Sequence, residues 1–326
     1  MQSSKFYKKL VSLLLILVLV GAGLFAWQNK WELHDRWVSR SYKATGDSTE
    51  VLNNLSLTPK GELVYKASLT EVDDKSKFRS RCPVEEYEEA NVLGCYSARR
   101  IYVLKVDEPR LNGVEEVTAA HELLHAQFER MDAGERKNLR IMLTKLKPEV
   151  TDIETNNLIG SYKAKLGDSE DLYNEMFAVY GTQLDSVGKD LEEIYSKYFK
   201  DRAKIVASYK SYSSEFTSIQ NKLNEYDSRL TKLKSQKEEL ETEAQTLNDE
   251  LNQEKAELDS LSSGDSAEQY QVAAESYNQK VREYNALVEQ IRSIIEEYNS
   301  IVDERNSLAL SAKNLQDQLN ANITER

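Results

Sequence analysis

The sequence predicts an α+β protein that is mostly α-helical, with a transmembrane helix, a small globular domain and a long helical hairpin in that order. Three observations predict this class: an apolar run over residues 10–27, a mixed pattern over residues 51–205 and heptads over residues 206–326. Polar residues 31–50 are predicted to form a juxtamembrane linker between the first two parts. A chain of 326 residues is long enough for several such units.

Residues 1–30 combine a basic tip with a candidate membrane anchor. The only polar side chain within residues 10–27 is Ser12, and about 18 helical residues at about 1.5 Å each just cross a bilayer core. Lysines precede the run, so the positive-inside rule places the N-terminus in the cytoplasm and the bulk of the chain outside. A cleaved signal peptide is the alternative, although the run exceeds the usual length of its apolar core. We therefore expect a single-pass protein of the cell membrane whose residues 10–27 contact the lipid bilayer.

Charge and cysteine content limit the partners and the compartment of the chain. The formal net charge is -12, and no basic face that could neutralise phosphates is evident, so we expect no nucleic-acid partner. Cys82 and Cys95 are the only cysteines, and both lie on the expected outer side, where thiols oxidise. They predict one disulfide, worth about 3 kcal/mol in the chain-entropy model. Free thiols or soft metal ligands are the alternative, but two cysteines with twelve residues between them do not make a zinc ribbon.

The globular domain is predicted to contain two strands followed by helices. Glu62–Leu69 alternates in part and follows a Pro-Lys-Gly turn signal, which predicts a strand. Arg100–Val106 predicts a second strand, which ends before Pro109. An Asn-Gly pair then opens a helix over Val114–Met131, with glutamates in the first turn, where the helix dipole favours them. The pattern after this helix is again helical.

This helix carries the run His121-Glu122-Leu123-Leu124-His125, which holds two of the three histidines of the chain. Positions i and i+4 lie on one helix face, so both imidazoles can reach one metal ion. Glu122 follows the first histidine and can reach a water molecule at that metal. This H-E-x-x-H pattern is typical of zinc peptidases, in which the glutamate is the general base.

A catalytic zinc site needs three protein ligands and one open position. No third histidine lies downstream of His125, so the pattern predicts a carboxylate. Glu175 is the best candidate, because the apolar positions of its predicted helix would turn it towards the helix that bears the histidines. Glu170 and Asp171 are the rival ligands. We expect one zinc ion per chain.

Several motifs together resemble known zinc peptidases. His121-Glu122-x-x-His125 with a downstream Asn174-Glu175 is similar to the gluzincin group, the thermolysin-like peptidases in the broad sense. Residues 120–126, Gly181-Thr182 and Tyr198-Phe199-x-Asp201-Arg202-Ala203 also resemble a loosely defined set of membrane-anchored bacterial proteins of peptidase type with no assigned substrate. The resemblance covers about residues 95–205.

The gluzincin resemblance implies roles for single residues. The two histidines and Glu175 would bind zinc, Glu122 would activate the water, and strand Arg100–Val106 would align the substrate backbone. These peptidases have an aspartate four residues after the ligand glutamate, where this chain has Val179. Residues able to take its place in orienting the imidazoles are Asp171, Tyr180 and Asp185. Candidate donors to the oxyanion are Tyr173, Tyr180 and Arg100.

Two long apolar seams predict a helical hairpin in residues 206–326. Apolar residues recur in alternating three- and four-residue steps, as in the a and d positions of a coiled coil. The first seam comprises Phe216, Ile219, Leu223, Tyr226, Leu230, Leu233, Leu240, Ala244, Leu247, Leu251, Leu258 and Leu261. The second comprises Tyr277, Val281, Tyr284, Val288, Ile291, Ile295, Tyr298 and Val302. A turn near residues 262–266 would make the arms antiparallel, and a long intermolecular coiled coil is the alternative.

These features predict a membrane-anchored, extracytoplasmic zinc metallopeptidase that acts on a protein or peptide at the cell surface. The alternative is a catalytically inactive zincin-like scaffold whose coiled coil recruits a partner in the cell envelope, and Val179 favours it. A hydrolase of cell-wall glycans is a weaker third hypothesis, because no platform of aromatic residues for sugars is evident. The coiled coil is expected to contact a protein partner in either of the first two cases.

Overall fold

The computed structural model describes residues 17–82, 92–261 and 267–320, and it is mostly helical with one three-stranded sheet. The described chain divides into two compact units. The first, called the globular unit below, extends to Ser214 and includes the residues from Leu315 onwards. The second is Glu215–Asn314. The globular unit therefore extends past the predicted boundary after residue 205.

The first described residues, 17–28, are helical and form α1. Many of its large apolar side chains are exposed, including Leu19, Phe25 and Trp27. Residues 10–16 of the predicted anchor lie outside the described part of the chain. Among the described residues, no helix is both long enough and apolar enough to cross a membrane.

The predicted juxtamembrane linker is structured. Helices α2 (Lys30–Val38) and α3 (Gly46–Asn54) lie within it, and α2 packs against the fourth helix of the globular unit. Asp35 of α2 is only 2% exposed and forms an ion pair with Arg130 at a distance of 2.8 Å. A buried ion pair and helix packing therefore join the predicted linker segment to the rest of the globular unit.

The predicted strand Glu62–Leu69 is wrong, because the segment lies in helix α4 (Pro59–Ala67) and the turn that follows it. Thr58 caps α4 by accepting a hydrogen bond from the Gly61 N–H, and Pro59 occupies the first turn, where its missing N–H costs nothing. Gly61, Val64 and Tyr65 are buried at the three- and four-residue spacing of one helix face. The proline that suggested a turn before a strand is thus the start of a helix.

The sheet has the strand order β1-β3-β2, with β1 (Glu71–Asp73), β2 (Gly94–Ser97) and β3 (Arg100–Leu104). The second predicted strand is confirmed as β3, although it ends at Leu104. Strand β3 lies between parallel β1 and antiparallel β2. The two-residue turn between β2 and β3 has positive φ at both positions, the geometry that matches the twist of a hairpin.

Helix α5 (Lys75–Arg81) is joined to strand β2 by a disulfide. Cys82 at the end of α5 bonds to Cys95, and their Cα atoms are 6.0 Å apart. Phe78, Cys82 and Leu104 form a small apolar cluster around this link. The predicted disulfide is therefore present, and it ties down the strand that lies next to the candidate site.

The rest of the globular unit is helical. Helix α6 (Val114–Arg130) contacts the sheet and several other helices, and eleven of its residues are buried. It begins one residue after the predicted Asn-Gly pair, with Gly113 in the left-handed conformation (φ 91°) at the cap. The helices that follow are α7 (Ala133–Leu146), α8 (Ile153–Leu166), α9 (Glu170–Gln183) and α10 (Lys189–Tyr195).

Arg202, part of the motif Tyr198–Ala203, holds the end of α9 in place. Its guanidinium group donates to the backbone carbonyls of Leu184 (2.6 Å) and Asp185 (2.9 Å), and to the Glu192 carboxylate of α10 (2.6 Å). The Arg202 side chain is buried, so these contacts satisfy a charge that would otherwise be costly. The motif that contributed to the resemblance is therefore a structural clamp on the helix that bears Glu175.

The second unit belongs to an antiparallel hairpin of two helices, α11 (Arg202–Leu261) and α12 (Ala267–Gln318). Ion pairs join Arg229 to Glu297 (3.0 Å) and Lys280 to Glu250 (2.6 Å), so sequence positions run in opposite directions along the two arms. The predicted turn near residues 262–266 lies outside the described residues.

The second seam differs in detail from its prediction. Leu287 and Ile301 are buried, whereas the predicted seam residue Ile295 is 39% exposed. At every second position of the seam, the residue that packs inward is therefore the one just before the predicted residue. Apolar residues occur at both choices, as at Leu287 and Val288, so only packing against the first arm decides between them.

Candidate metal centre

Helix α6 presents both histidines of the motif on one face. The Nε2 atoms of His121 and His125 lie 3.0 Å apart, and the two rings meet edge to face. Ala120, Leu123 and Leu124 around them are fully buried and fix the rotation of the helix. Both imidazoles are thereby held towards helix α9, which packs against α6.

Helix α9 brings Glu175 to the same place. Its Oε2 lies 3.6 Å from His121 Nε2, and its Oε1 lies 3.6 Å from His125 Nε2. The predicted inward face of this helix is confirmed, because Leu172, Met176 and Val179 are buried. Gly181 lets α9 approach α6, since a Cβ atom there would come within 2.5 Å of Leu124.

His121, His125 and Glu175 form a group that can hold a metal ion, because one ligand atom from each lies within 4.8 Å of the others. Neighbouring ligands of a tetrahedral zinc ion at bonds of about 2.0–2.1 Å are about 3.3–3.4 Å apart. The observed separations of 3.0 and 3.6 Å differ from this by only a few tenths of an ångström. Two imidazoles and one carboxylate are also a donor set that zinc accepts.

The rival third ligands lie elsewhere. Glu170 forms an ion pair with Arg136 at 3.2 Å, and Asp171 is exposed in the first turn of α9. Neither is part of the group formed by the two histidines and Glu175. The prediction that favoured Glu175 therefore agrees with the geometry of the described residues.

The surroundings of Glu175 favour its ionised form. Burial alone would raise the pKa of this carboxyl, but charge on His125 and His121 and hydrogen bonds from His121 and Tyr162 outweigh it and lower the pKa to about 2. A metal ion binds the deprotonated carboxylate, so a glutamate that stays ionised is ready to act as a ligand.

Asn174 and Tyr162 orient the ligands, and neither was predicted to do so. Asn174 Oδ1 lies 2.9 Å from His125 Nδ1 and accepts a hydrogen bond from the Nδ1–H tautomer, which leaves Nε2 free to bind a metal. The Tyr162 hydroxyl of α8 donates to the Glu175 carboxylate. The only sequence signal for Asn174 was its place beside Glu175.

The residues predicted for this orienting role lie elsewhere. Asp171 is exposed, and the Tyr180 hydroxyl is buried without a hydrogen-bond partner among the described residues. Asp185 accepts from Lys210 near the other end of α9. Val179, where the gluzincin pattern has an aspartate, packs in the core, and Asn174 supports His125 from a different turn of the helix.

The predicted donors to an oxyanion also have other partners. Tyr173 donates to Asp168 (2.6 Å), and Arg100 donates to Glu71 (2.7 Å). Tyr180 belongs to the apolar core. Tyr162 is the tyrosine whose hydroxyl reaches the carboxylate of the candidate metal group.

The side chain of Glu122 extends from α6 to strand β2. Its side chain is buried, and its carboxylate accepts a hydrogen bond from the backbone N–H of Tyr96. Gly94 makes this approach possible, because a Cβ atom there would lie 2.9 Å from Glu122 Oε1 and 2.5 Å from Thr118 Cγ2. Burial, opposed by charge on His125, raises the pKa of the Glu122 carboxyl to about 7, which suits a group that exchanges protons near neutrality.

In comparisons with known proteins, no protein-family model, no curated protein and no solved structure matches the chain. The site comprises His121 and His125 of α6 and Glu175 of α9, which could together hold a metal ion, and Glu122 follows His121 on the same helix.

Proposed function

We propose that the chain is a zinc-dependent peptidase that is anchored to the cell membrane and acts outside the cytoplasm. The observation that carries this proposal is the convergence of His121, His125 and Glu175 from two helices beside the buried carboxyl of Glu122. A structural zinc site closes all four positions with protein ligands, whereas the three ligands found in the described part of the chain leave one position for water or substrate. The arrangement therefore supports hydrolysis better than a purely structural role.

A zinc ion bound by these three residues would lower the pKa of a water molecule and polarise the scissile carbonyl. Glu122 accepts the proton of the attacking water and passes it to the leaving amine. The Tyr96 N–H holds the Glu122 carboxylate in place, and burial keeps its pKa near the working pH. The Tyr162 hydroxyl donates to the Glu175 carboxylate and so would hold this ligand in place.

Strand β2 takes the role of aligning the substrate in place of the predicted Arg100–Val106. Strand β3 lies between two other strands, whereas β2 is at the edge of the described sheet and touches Glu122 through Tyr96. An extended peptide can add to such an edge through main-chain hydrogen bonds. We therefore propose an unfolded or extended protein segment at the cell surface as the substrate.

The membrane location rests on residues 10–27 and the lysines before them, and the disulfide is consistent with an oxidising compartment. The helical hairpin of α11 and α12 supplies a long surface for a protein partner in the envelope. Neither feature is needed for the chemistry of the site.

The experiment is hydrolysis of a peptide library by the zinc-loaded full chain, followed by mass spectrometry. We expect Glu122→Gln to bind one zinc ion per chain and to lose about 10²–10⁴-fold in rate, because the proton acceptor is gone. The matched control is Glu170→Gln, which alters an exposed glutamate of α9 and keeps full activity. Equal rates for the wild type and Glu122→Gln would refute the proposal.

A further inference from the structure

Helix α2, which lies in the predicted juxtamembrane linker, makes a continuous set of contacts that ends at Glu122. The Asp35 carboxylate accepts two hydrogen bonds from Arg130, from Nε and from Nη2, each of 2.8 Å. Both side chains are almost fully buried, at 3% and 7% exposure. A bidentate ion pair of this kind has a fixed geometry, so Asp35 determines where the Arg130 guanidinium lies.

Arg130 in turn contacts Tyr96 of strand β2. Its Nη1 donates to the Tyr96 hydroxyl at 3.4 Å and to the Ala126 carbonyl at 2.7 Å. The Tyr96 hydroxyl in turn donates to the Glu129 carboxylate, one residue before Arg130 on the same helix. The Tyr96 side chain is therefore held by two charged groups of α6.

A second contact from α2 reaches the same strand. Two guanidinium groups lie near the Trp31 ring, with Arg99 at 4.9 Å and Arg130 at 5.2 Å from the ring centre. Arg99 lies in the turn that follows β2 and donates to Glu129 at 3.1 Å. Cation–π contacts thus connect Trp31 of α2 both to Arg130 and to the turn after β2.

The last step is the main chain of Tyr96. Its side chain is fixed by Arg130 and Glu129, and its N–H donates to the Glu122 carboxylate. The neighbouring Cys95 is tied to Cys82 by the disulfide, which removes further freedom from the strand. A shift of Arg130 would therefore act on Tyr96, whose N–H donates to Glu122.

We propose that Asp35 is a positioning residue for Glu122, acting from α2 through Arg130 and Tyr96. The catalytic part of this inference rests on the proposed function, whereas the mechanical connection between α2 and Tyr96 does not. The segment next to the apolar N-terminal run is then part of the wall of the site, and the site is fully formed only when α2 is docked.

The first readout is the hydrogen exchange rate of the Tyr96 amide in the full chain, which needs neither zinc nor activity. We divide it by the rate of the Ile101 amide, which donates to the Ser68 carbonyl within the same unit, so that changes in global stability cancel. We expect Asp35→Asn and the milder Tyr96→Phe to raise this ratio at least about tenfold. Glu122→Ala removes the acceptor itself and should raise it as well.

The matched control is Asp73→Asn. Asp73 is also a buried carboxylate, held by Lys77 (2.6 Å) and Arg81 (3.1 Å), but it lies on β1, away from Glu122. We expect it to lose stability and to leave the exchange ratio unchanged. A wild-type ratio in both Asp35→Asn and Tyr96→Phe would overturn the proposal.

The second readout separates the two proposals. With a cleaved peptide, Asp35→Asn should lower kcat about tenfold while KM and zinc affinity stay at wild-type values, because Glu122 does not bind the substrate ground state or the metal. An unchanged kcat would overturn the catalytic part. If no peptide is cleaved even by the wild type, the proposed function fails, and the exchange ratio still decides whether the connection exists.

Discussion

At the residue scale, the residues of the candidate metal group could be predicted from the sequence, but their hydrogen-bond partners could not. His121, Glu122 and His125 are set by helical spacing, and the shortage of histidines left a carboxylate as the third ligand. Asn174 depends on how α9 is rotated against α6, and Tyr162 depends on where α8 lies. These placements follow from packing between segments that are far apart in sequence.

Asn174 should contribute to zinc affinity although its side chain is uncharged and does not bind the metal. Asn174→Ala removes the acceptor at His125 Nδ1, so the imidazole loses its preferred tautomer and orientation. We expect zinc affinity to fall about 10–100-fold, measured by competition with a chromophoric chelator. Asp171→Asn, an exposed change one turn earlier, should keep wild-type affinity. Equal zinc affinities for the two variants would show that Asn174 does not orient the ligand.

Gly94 provides the space that lets strand β2 approach Glu122. A Cβ atom in Gly94→Ala would lie 2.5 Å from Thr118 and 2.9 Å from Glu122, so we expect a loss of about 1–3 kcal/mol in the free energy of unfolding. Gly160→Ala is the matched control, since nothing lies within 4 Å of that position in α8. It should stabilise the chain by about 0.5–1 kcal/mol. Urea denaturation measures both, and stabilisation by Gly94→Ala would contradict the packing described for β2.

At the element scale, one helix and one strand were predicted well, and one segment was not. Helix α6 and strand β3 lie close to their predicted positions. Residues 62–69 were assigned to the wrong class, because Pro59 fits either a turn or a helix start and the apolar residues are few. The seam of α12 was shifted for a related reason, since neighbouring apolar residues offer two choices.

The first turn of α6 should make stability depend on pH through Glu115. Burial, together with repulsion from Glu116, Asp47 and Asp107, raises the pKa of the Glu115 carboxyl to about 7 despite the hydrogen bond from the Val106 N–H. A raised pKa means that the folded state holds the proton more tightly. The contribution of this group is therefore fully present below about pH 4.5 and is lost as the pH rises to about 7.

Glu115→Gln keeps a side-chain oxygen that can accept the hydrogen bond from the Val106 N–H. Because glutamine does not ionise, the variant does not lose this stability as the pH rises. We expect the variant to gain about 1 kcal/mol relative to the wild type between pH 5 and pH 8, after allowance for partial solvent exposure and the helix dipole. The measurement is the free energy of unfolding in urea at both pH values. A difference between the two proteins that does not change with pH would contradict the assignment.

At the scale of the whole molecule, one site is assembled from segments that are distant in sequence. Helix α6 supplies His121, His125 and Glu122, α9 supplies Glu175, and the β2 backbone contacts Glu122, while α2 pairs with the end of α6. The sequence placed α2 in a juxtamembrane linker, and its contact with α6 could not be predicted. A polar segment with few apolar residues can still dock through a buried ion pair, as Asp35 does with Arg130.

The central claim is that His121, His125 and Glu175 bind one zinc ion, and X-ray absorption at the zinc edge tests it most directly. We predict one zinc per full-length chain, with two imidazole nitrogens at about 2.0–2.1 Å and a carboxylate oxygen at about 2.0–2.2 Å. The oxygen contribution from protein should disappear in Glu175→Ala and persist in Glu170→Ala. A chain that binds no stoichiometric zinc, or a spectrum that Glu175→Ala leaves unchanged, would contradict the claim.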